Sequence, residues 1–347
     1  MSEHVERYDG ATVLVTGGAG AIGTNLVAAL ADAGARKVVV LDDLSAGYTW
    51  NLPNRDSVLF VEGSVVDEVD LKRAFGEDPE VVFHLAAFFA NQNSIDYPER
   101  DLEVNGLGTL RVLEYSVMTG VDRVVYASSG CSIYGSDPPL PIPEDFVSMH
   151  LTTPYQITKM LGELYANFFH HHHELPVVKA RFFNSYGPGE VPGQYRNVIP
   201  NFIYWALQGL PLPITGNGEA TRDFTFVGDI TDGLLRAGYY EAAIGAEFNL
   251  ASSTETPIVD LASMINELTD NSAGIRTAAT RKWDTKTRLR ASIDRASSLL
   301  GYDPSTLIEK GLATTVEWFR ANWSAISESA EFPPGMNSAV RPLDESS

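Results

Sequence analysis

The sequence predicts an α/β protein built on a doubly wound parallel sheet, with a smaller C-terminal lobe. Three observations favour this fold class. Short apolar runs rich in β-branched residues alternate with stretches of helical periodicity. A glycine-rich turn joins the first apolar run to the first helical stretch. Small or polar residues follow several of the runs, as expected where parallel strands end at one edge of a sheet.

Seven apolar runs are predicted to be strands. They are Thr12–Val15, Val38–Leu41, Val58–Val61, Val81–Leu85, Arg123–Ala127, Val177–Phe182 and Ala246–Ala251. The predicted helices are Asn25–Leu30, Val69–Phe75, Leu102–Thr119 and Tyr155–Phe169. Right-handed crossovers would bring the carboxyl ends of the strands to one edge of the sheet, so ligand-binding residues are expected along that edge.

The glycine-rich turn is Thr16–Gly23, between the first predicted strand and the first helix. Gly17 permits the tight turn, Gly20 lets backbone N–H groups approach a pyrophosphate, and Gly23 lets the helix pack on the strand. Asp42 ends the second strand, where a carboxylate accepts hydrogen bonds from the adenosine ribose and repels a 2′-phosphate. The turn therefore predicts a Rossmann-type dinucleotide site that prefers NAD over NADP.

The composition is typical of a globular protein, with 44% hydrophobic and 20% charged residues. A net charge of −20 argues against a nucleic-acid partner, because phosphate binding needs a basic surface. No apolar run is long enough to span a membrane and the N-terminus has no apolar signal core, so we expect a cytoplasmic protein. Cys131 is the only cysteine, which excludes an intramolecular disulfide.

The domain organisation is predicted from a change in amino-acid composition about halfway along the chain, where glycine and proline become frequent. We expect residues 1–184 to form the NAD-binding domain, with 226–252 returning to its sheet. Residues 185–225 and 253–330 are expected to form a substrate-binding lobe, and 331–347 a polar tail.

The run His170–His173 contains four consecutive histidines. Consecutive helical residues point in different directions and cannot converge on one ion. We interpret the run as a solvated helix end and predict no metal site.

Tyr155 and Lys159 are four residues apart on a predicted helix, so their side chains share one face. A lysine ammonium beside a phenol stabilises the phenolate and lowers the pKa of the tyrosine. The tyrosine can then act as a general base near neutral pH. Because the pair follows a serine-rich strand end in a dinucleotide-binding pattern, we interpret it as catalytic.

Several further motifs occur with this pair. They are TGGAGAIG in the glycine turn, HLAA at His84–Ala87, SSGCSIYG after the fifth strand, YQITK at the catalytic pair, RFFNSYGPG at Arg181–Gly189, RNVIP at Arg196–Pro200, GNGEATRDFTF at Gly216–Phe226 and LGY at Leu300–Tyr302. Together they resemble the extended short-chain dehydrogenase/reductase family, in particular its nucleotide-sugar epimerases, dehydratases and decarboxylases. The resemblance is to the UDP-glucose 4-epimerase-like group and spans roughly residues 12 to 320.

The resemblance implies roles for individual residues. Tyr155 and Lys159 match the catalytic pair, and Lys159 would also hold the nicotinamide ribose. The positions implied to bind NAD are Gly17, Gly20, Ala21, Ile22, Gly23, Asp42, Asp43, Ser45, Ser64, Val65, Leu85, Ala86, Ala87, Asn105, Tyr155, Lys159 and Phe182. Those implied to bind the nucleotide diphosphate-sugar are Asn184, Asn197, Arg222 and Arg288. Arginine forks suit diphosphate oxygens, and an acidic protein needs such local cations.

The sequence departs from the family pattern at two positions. Ser64 stands where the family usually has an aspartate near the adenine, which weakens one hydrogen bond. The catalytic Ser or Thr of the family falls on Gly130, which has no side chain. The hydroxyl that bridges the sugar and Tyr155 must then come from Ser129 or Ser132, or be absent.

Of the two serines, Ser132 is expected to matter more. If the segment continues as extended chain, residues two apart face the same way, and Ser132 takes the direction of Gly130. Counted from the preceding strand, Cys131 falls where a relative, GDP-mannose 3,5-epimerase, has a catalytic cysteine. The lysine that partners that cysteine in the relative is missing here near Arg196–Pro200. Two interpretations of Cys131 stay open, a buried inert thiol and an acid/base group.

The expected activity is that of an NAD-dependent nucleotide-sugar epimerase acting at C4 of a UDP-sugar. Tyr155 would remove the proton of the sugar hydroxyl as hydride passes to NAD, and the 4-keto sugar would take the hydride back on its other face.

The alternatives are members of the same family or a protein without activity. A dehydratase is disfavoured because Cys131-Ser132 offers no carboxylate, and a decarboxylase because the glutamate of that stretch is missing. A 3,5-epimerase and a non-catalytic NAD-binding scaffold stay open. As in the family's dimers, Leu102–Thr119 and Tyr155–Phe169 are expected to pair across a two-fold axis in a homodimer.

Overall fold

A seven-stranded parallel sheet forms the centre of the protein, in a computed structural model that describes residues 3–278 and 286–332. In chain order, the strands of the central sheet and of three smaller sheets are β1 (Thr12–Thr16), β2 (Lys37–Asp42), β3 (Val58–Glu62), β4 (Val81–His84), β5 (Arg123–Ser129), β6 (Val177–Phe182), β7 (Ser185–Tyr186), β8 (Leu212–Thr215), β9 (Thr221–Asp223), β10 (Thr225–Phe226), β11 (Glu247–Leu250), β12 (Glu255–Pro257) and β13 (Ile275–Ala278). The order across the central sheet is β11-β6-β5-β4-β1-β2-β3. The predicted fold class is confirmed.

Helices alternate with many of these strands along the chain. They are α1 (Glu3–Glu6), α2 (Ala21–Asp32), α3 (Glu68–Phe75), α4 (Asn91–Asp96), α5 (Pro98–Asp101), α6 (Thr109–Thr119), α7 (Gly130–Ile133), α8 (Pro154–His173), α9 (Val198–Leu207), α10 (Val227–Tyr239), α11 (Ile258–Thr269), α12 (Asp294–Leu300), α13 (Ile308–Ala321) and α14 (Trp323–Ser329). A π-helical segment, Leu102–Gly108, joins α5 to α6.

Helices cover both faces of the sheet, because its central strands are apolar on both sides. One face packs against α2 and α10, through side chains such as Leu26 and Leu234. The other face packs against α3, α6 and α8, through side chains such as Leu71, Leu113 and Phe169. A capping box at Thr153 fixes the start of α8.

A separate apolar core forms the C-terminal lobe, where α9, α11 and α13 pack with β8. Three two-stranded sheets support it: β8 with β13, β9 with β12, and β7 with β10.

Two segments depart from the expected division of the chain. Helix α12 was expected in the lobe, but Ala296 and Leu300 belong to the core of the central sheet and α12 contacts β11. Glu331 and Phe332 were expected in the polar tail. Instead, Glu331 forms a β-bridge with Gly193 and Phe332 stacks on Tyr204. Residues 333–347 lie outside the described part of the chain.

The histidine run forms the last turn of α8. His172 and His173 pack against Phe168, and His170 hydrogen-bonds the carbonyl of Leu175 at 2.9 Å. Within residues 3–278 and 286–332, no cluster of three potential metal ligands occurs. No helix in the same ranges is long and apolar enough to cross a membrane.

Candidate active site

A large cleft follows the carboxyl edge of the central sheet and extends between the sheet and the C-terminal lobe. Most residues that the sequence assigns to the site line this cleft. On the sheet side these are Gly17, Gly20, Ala21, Ile22, Gly23, Asp42, Asp43, Ser45, Ser64, Val65, Leu85, Ala86, Ala87, Ser129, Ser132, Tyr155, Lys159 and Phe182. Towards the lobe they are Asn184, Asn197 and Arg222. Asn105 and Arg288 are the exceptions.

The glycine turn is held so closely that side chains could not be accommodated at two of its positions. Gly17 has φ +71°, and a Cβ there would lie 2.6 Å from the backbone nitrogen of Ala86. A Cβ at Gly23 would lie 2.2 Å from the carbonyl oxygen of Gly17. Helix α2 begins after Gly20 without a side-chain cap, so its first N–H groups remain for a ligand at the cleft.

Asp42 lies at the end of β2 with both carboxylate oxygens oriented by backbone donors. Oδ2 accepts from the N–H of Ala19 and Oδ1 from the N–H of Leu44, each at 2.9 Å. Burial raises the pKa of Asp42, although these two hydrogen bonds oppose the shift. The carboxylate is thus fixed at the cleft wall with acceptor capacity left for ribose hydroxyls.

Ser128 supplies a polar group that no described residue satisfies. It is buried at the end of β5, it lines the cleft, and its Oγ has no hydrogen-bond partner. Buried hydroxyls are normally paired, so a missing partner at a cleft wall indicates a ligand. With the tight glycine turn and the uncapped helix start, this orphaned hydroxyl fits a bound dinucleotide.

Tyr155 and Lys159 lie one turn apart on α8 and both are buried. Lys159 Nζ donates to the carbonyl oxygen of Ala127 at 2.9 Å. Burial lowers the pKa of Lys159 to about 8, whereas Asp101 opposes that shift. Burial raises the pKa of Tyr155 well above its usual value, and the hydrogen bond with Ser129 only partly offsets this.

The expected lowering of the pKa of Tyr155 by Lys159 is therefore wrong for the protein alone. The ammonium is bound to a backbone carbonyl rather than to the phenol oxygen, and desolvation dominates for both side chains. A positive charge brought into the cleft beside Tyr155 would be needed to stabilise the phenolate.

The reason given for preferring Ser132 over Ser129 is also wrong. The segment after β5 is not extended, because Gly130–Ile133 forms a helical turn. A Cβ at Gly130 would lie 1.9 Å from the ring of Phe183, so packing requires the glycine and its missing side chain points into the core. The Oγ atoms of Ser129 and Ser132 are 3.1 Å apart, and of the two serines only Ser129 lowers the pKa of Tyr155. Ser129 is thus the serine next to the tyrosine.

Cys131 lines the cleft, with its thiol directed at the backbone just after β6. Sγ accepts from the N–H of Asn184 at 3.1 Å, and Lys286 donates to the carbonyl oxygen of Cys131. Burial raises the pKa of the thiol to about 11, since the nearby cations offset it only in part. A protonated thiol in this setting favours the inert interpretation.

Asn105 does not reach the cleft. Its amide accepts from the N–H of Phe88 at 2.8 Å and donates to Phe88 O and to Asp101. Asp101 in turn accepts from Thr158 on α8 at 2.8 Å. Asn105 therefore ties the cleft loop after β4 to α8, and its expected contact with NAD stays a prediction.

His84 holds the end of β4 in a similar way. Its ring nitrogens lie 2.7 Å from Thr16 Oγ1 and 3.0 Å from Thr109 Oγ1. Complete burial and the charge of Lys159 lower its pKa to about 3, so His84 stays neutral. The HLAA motif thus has a structural histidine that connects β1 to α6.

Arg222 and Arg288 differ in where their guanidinium groups lie. Arg222 lines the cleft and donates to the carbonyl oxygens of Thr221 and Lys286. The expected alternative, an ion pair with Asp223, is not formed, because Asp223 points to the other side of β9 and accepts from Ser252. Arg288 is exposed and forms a bidentate ion pair with Glu255. Arg288 does not line the cleft in this arrangement, whereas Lys286 does, so the assignment of Arg288 to the substrate stays a prediction.

Several residues that line the cleft were not assigned from the sequence. The main ones are Phe88, Phe89, Asn91, Gln92, Asn93, Arg100, Ser128, Glu190, Tyr195, Arg196, Trp205 and Lys286. Glu190 is buried, accepts from Asn197 Nδ2 at 2.9 Å, and has its pKa raised to about 7 by burial. The one signal in the sequence for Glu190 is its position between the RFFNSYGPG and RNVIP motifs.

A Rossmann-type sheet, a dinucleotide turn and a tyrosine–lysine pair on α8 beside β5 define an NAD-dependent enzyme of the short-chain dehydrogenase/reductase class. The sequence profile of the NAD dependent epimerase/dehydratase family matches residues 13–251, and the chain belongs to this family. The predicted family resemblance and the NAD cofactor are confirmed.

Three relatives illustrate the similarity. A solved epimerase from the methanogen Methanothermobacter thermautotrophicus is 55% identical, with a TM-score of 0.94, over 95% of this chain and 98% of that one. UDP-glucose 4-epimerase of Mycolicibacterium smegmatis is 38% identical over 88% of this chain and 98% of its own length. UDP-glucose 4-epimerase of Thermotoga maritima, solved with UDP-glucose, is 34% identical with a TM-score of 0.85, over 90% of this chain and 99% of that one.

Proposed function

We propose that this protein is an NAD-dependent epimerase that inverts C4 of a UDP-sugar. The observation that carries the proposal is the group of Tyr155, Ser129 and Lys159, buried together where the dinucleotide half of the cleft meets its lobe half. The M. smegmatis and T. maritima relatives, both UDP-glucose 4-epimerases, support C4 and a UDP-sugar.

The chain's own groups perform the proton transfer. Tyr155 takes the proton from the C4 hydroxyl, and Ser129 holds the sugar oxygen and the phenol oxygen in hydrogen-bonding reach. Lys159 keeps a positive charge beneath the tyrosine. Bound NAD⁺ would accept and return the hydride and add the positive charge that Tyr155 needs. Rotation of the 4-keto sugar between the two transfers inverts the centre.

The diphosphate would be held by cations at the lobe side of the cleft. Arg222 and Lys286 line this part, and Asn184 and Asn197 add amide groups. These local cations offset an overall charge of −20. Such a site selects a dianionic nucleotide-sugar over a neutral sugar.

The arrangement around Tyr155 disfavours the dehydratase and decarboxylase activities. Helix α7 carries Cys131 and Ser132, and no carboxylate belongs to this turn beside Tyr155. The thiol is protonated and held by Asn184, which also weighs against a cysteine-assisted 3,5-epimerase. The burial of Tyr155, Ser129 and Lys159 together at the cleft weighs against a scaffold without activity.

We also propose a homodimer and a cytoplasmic location. Ile157, Leu164 and Phe168 form an apolar stripe along α8 that is 44–57% exposed, and Leu107 lies on the neighbouring π-helical segment. Two such helix pairs, related by a two-fold axis, would cover these side chains. The only cysteine, Cys131, is a free thiol, in keeping with a reducing compartment.

The proposal is tested by incubating the purified protein with UDP-glucose and following the product by proton NMR. We expect UDP-galactose to form without added reductant. UDP-N-acetylglucosamine is the second substrate to try, with mass spectrometry of nucleotide-sugars retained on the purified protein. If neither UDP-sugar is epimerised at C4, the proposed activity is wrong.

A further inference from the structure

One side of helix α9 lines the part of the cleft that lies in the C-terminal lobe. Val198, Asn201, Phe202 and Trp205 all line the cleft, and their spacing of three, four and seven residues places them on one helical face. Asn197, one of the residues proposed to hold the diphosphate, is the N-cap of α9. The face therefore leads from the diphosphate region into the lobe.

Four further uncharged residues of the lobe line the cleft. They are Pro213 and Thr215 on β8, Phe224 between β9 and β10, and Ile258 at the start of α11. With Phe202 and Trp205, these side chains make a largely apolar and aromatic recess. A planar, uncharged ring is the part of a nucleotide-sugar that such a recess can bury.

Trp205 adds a polar group that has no described partner. Its side chain is 6% exposed, and the Nε1–H finds no hydrogen-bond acceptor among the described residues. The indole ring packs against Phe202 and Phe332, with ring centres 6.4 and 5.7 Å apart. A buried donor without an acceptor is costly, and its presence on a cleft-lining side chain points to an acceptor supplied by a ligand.

We infer that Trp205 Nε1 donates a hydrogen bond to a carbonyl oxygen of the substrate's nucleobase. The inference rests on the proposed function, because it takes the cleft to hold a nucleotide-sugar with its sugar at Tyr155 and its diphosphate at Arg222. A base carbonyl is an acceptor at the edge of a planar ring, which matches both the aromatic recess and the orphaned donor. Trp205 thus contributes to nucleotide selection as well as to the lobe core.

The test compares two ligands on the wild type and on Trp205→Phe, which removes the N–H and keeps an aromatic ring. UDP carries the base, whereas ribose 5-diphosphate has the same ribose and diphosphate without it. By calorimetry on the NAD-loaded protein, we expect Trp205→Phe to weaken UDP binding about tenfold, as for one lost hydrogen bond, and to leave ribose 5-diphosphate binding unchanged.

Trp318→Phe is the matched control, because Trp318 stacks on Trp50 and does not line the cleft. It should bind UDP as the wild type does. Indole fluorescence gives a second readout: UDP should change the emission of the wild type and of Trp318→Phe, and the Trp205→Phe variant should lose that change.

Equal UDP affinity of Trp205→Phe and wild type would overturn the inference. So would an equal loss of affinity for both ligands, since that result would mean general damage to the cleft. Failure of the wild type to bind UDP at all is a different outcome, and it would contradict the proposed function itself.

Discussion

Lys159 Nζ lies 5.7 Å from the centre of the Tyr155 ring, while it donates to the carbonyl oxygen of Ala127. The lysine is therefore close enough to act on the phenol through space but is not bound to it. Because burial raises the pKa of Tyr155 and lowers that of Lys159, the protein without cofactor holds a neutral tyrosine. The activity of this pair should depend on what binds beside it.

Replacing Tyr155 by Phe should abolish turnover and leave NAD bound, because only the phenol oxygen is lost. Bound NAD can be measured by its release on denaturation, and turnover by NMR with UDP-glucose. Turnover above about a tenth of the wild-type rate would refute the role of Tyr155 as the base.

The three hydroxyl and thiol groups beside Tyr155 should differ in importance. Ser129→Ala should lower kcat about ten- to a thousandfold with little change in KM, because Ser129 hydrogen-bonds the tyrosine. Ser132→Ala should have a smaller effect, since Ser132 contacts Ser129 instead. Cys131→Ala should have the smallest. If Cys131→Ala is the most damaging of the three, C4 epimerisation gives way to a cysteine-assisted reaction at C3 or C5.

Asp42→Ala should weaken NAD binding at least tenfold and reduce discrimination against NADP. The variant also loses the acceptors for Ala19 and Leu44, which shape the loops at the cleft. Asp42→Asn keeps one carbonyl acceptor and should give an intermediate NAD affinity. Calorimetry with both cofactors is the measurement, and unchanged affinity and selectivity would mean that the cofactor lies elsewhere.

Glu190 should make the stability of the protein depend on pH. Burial raises its pKa from 4.5 to about 7, although Arg196 and Asn197 oppose the shift. A carboxyl with a raised pKa stabilises the fold fully below pH 4.5 and loses that contribution as the pH rises through 7. Glu190→Gln should remove this dependence and increase the free energy of unfolding at pH 8, by on the order of 2 kcal/mol.

Urea denaturation of the cofactor-free protein between pH 5 and pH 8 measures the effect of Glu190→Gln. Glu99→Gln, a change at an exposed carboxylate, is the control and should leave the pH dependence of the wild type in place. Parallel pH profiles for wild type and Glu190→Gln would show that the buried carboxyl does not titrate in this range.

Leu164→Glu should convert the proposed dimer to a monomer, because it places a charge in the centre of the apolar stripe on α8. Light scattering at micromolar concentration gives the mass directly. Leu307→Glu, at a leucine on the C-terminal lobe that is even more exposed (71% against 57% for Leu164), should remain dimeric. A wild-type protein with the mass of a monomer would contradict the homodimer.

The sheet, the dinucleotide turn and the catalytic pair could be predicted from the sequence. These features follow from short-range patterns: apolar runs between Thr12 and Leu250 mark the strands, three spaced glycines mark the turn, and Tyr155 and Lys159 share a helical face at a spacing of four. Each pattern is contained in fewer than about twenty residues, so no distant contact is needed to recognise it.

Which neighbours of that pair face the cleft depends on long-range packing in the folded protein. The choice between Ser129 and Ser132 depends on Phe183, which fills the space beside Gly130 and is 53 residues away in the chain. Likewise, Arg288 pairs with Glu255 and Asn105 with Phe88, and neither side chain lines the cleft. These outcomes depend on contacts between segments distant in sequence, because packing and competing hydrogen bonds set a side chain's direction after the elements have formed.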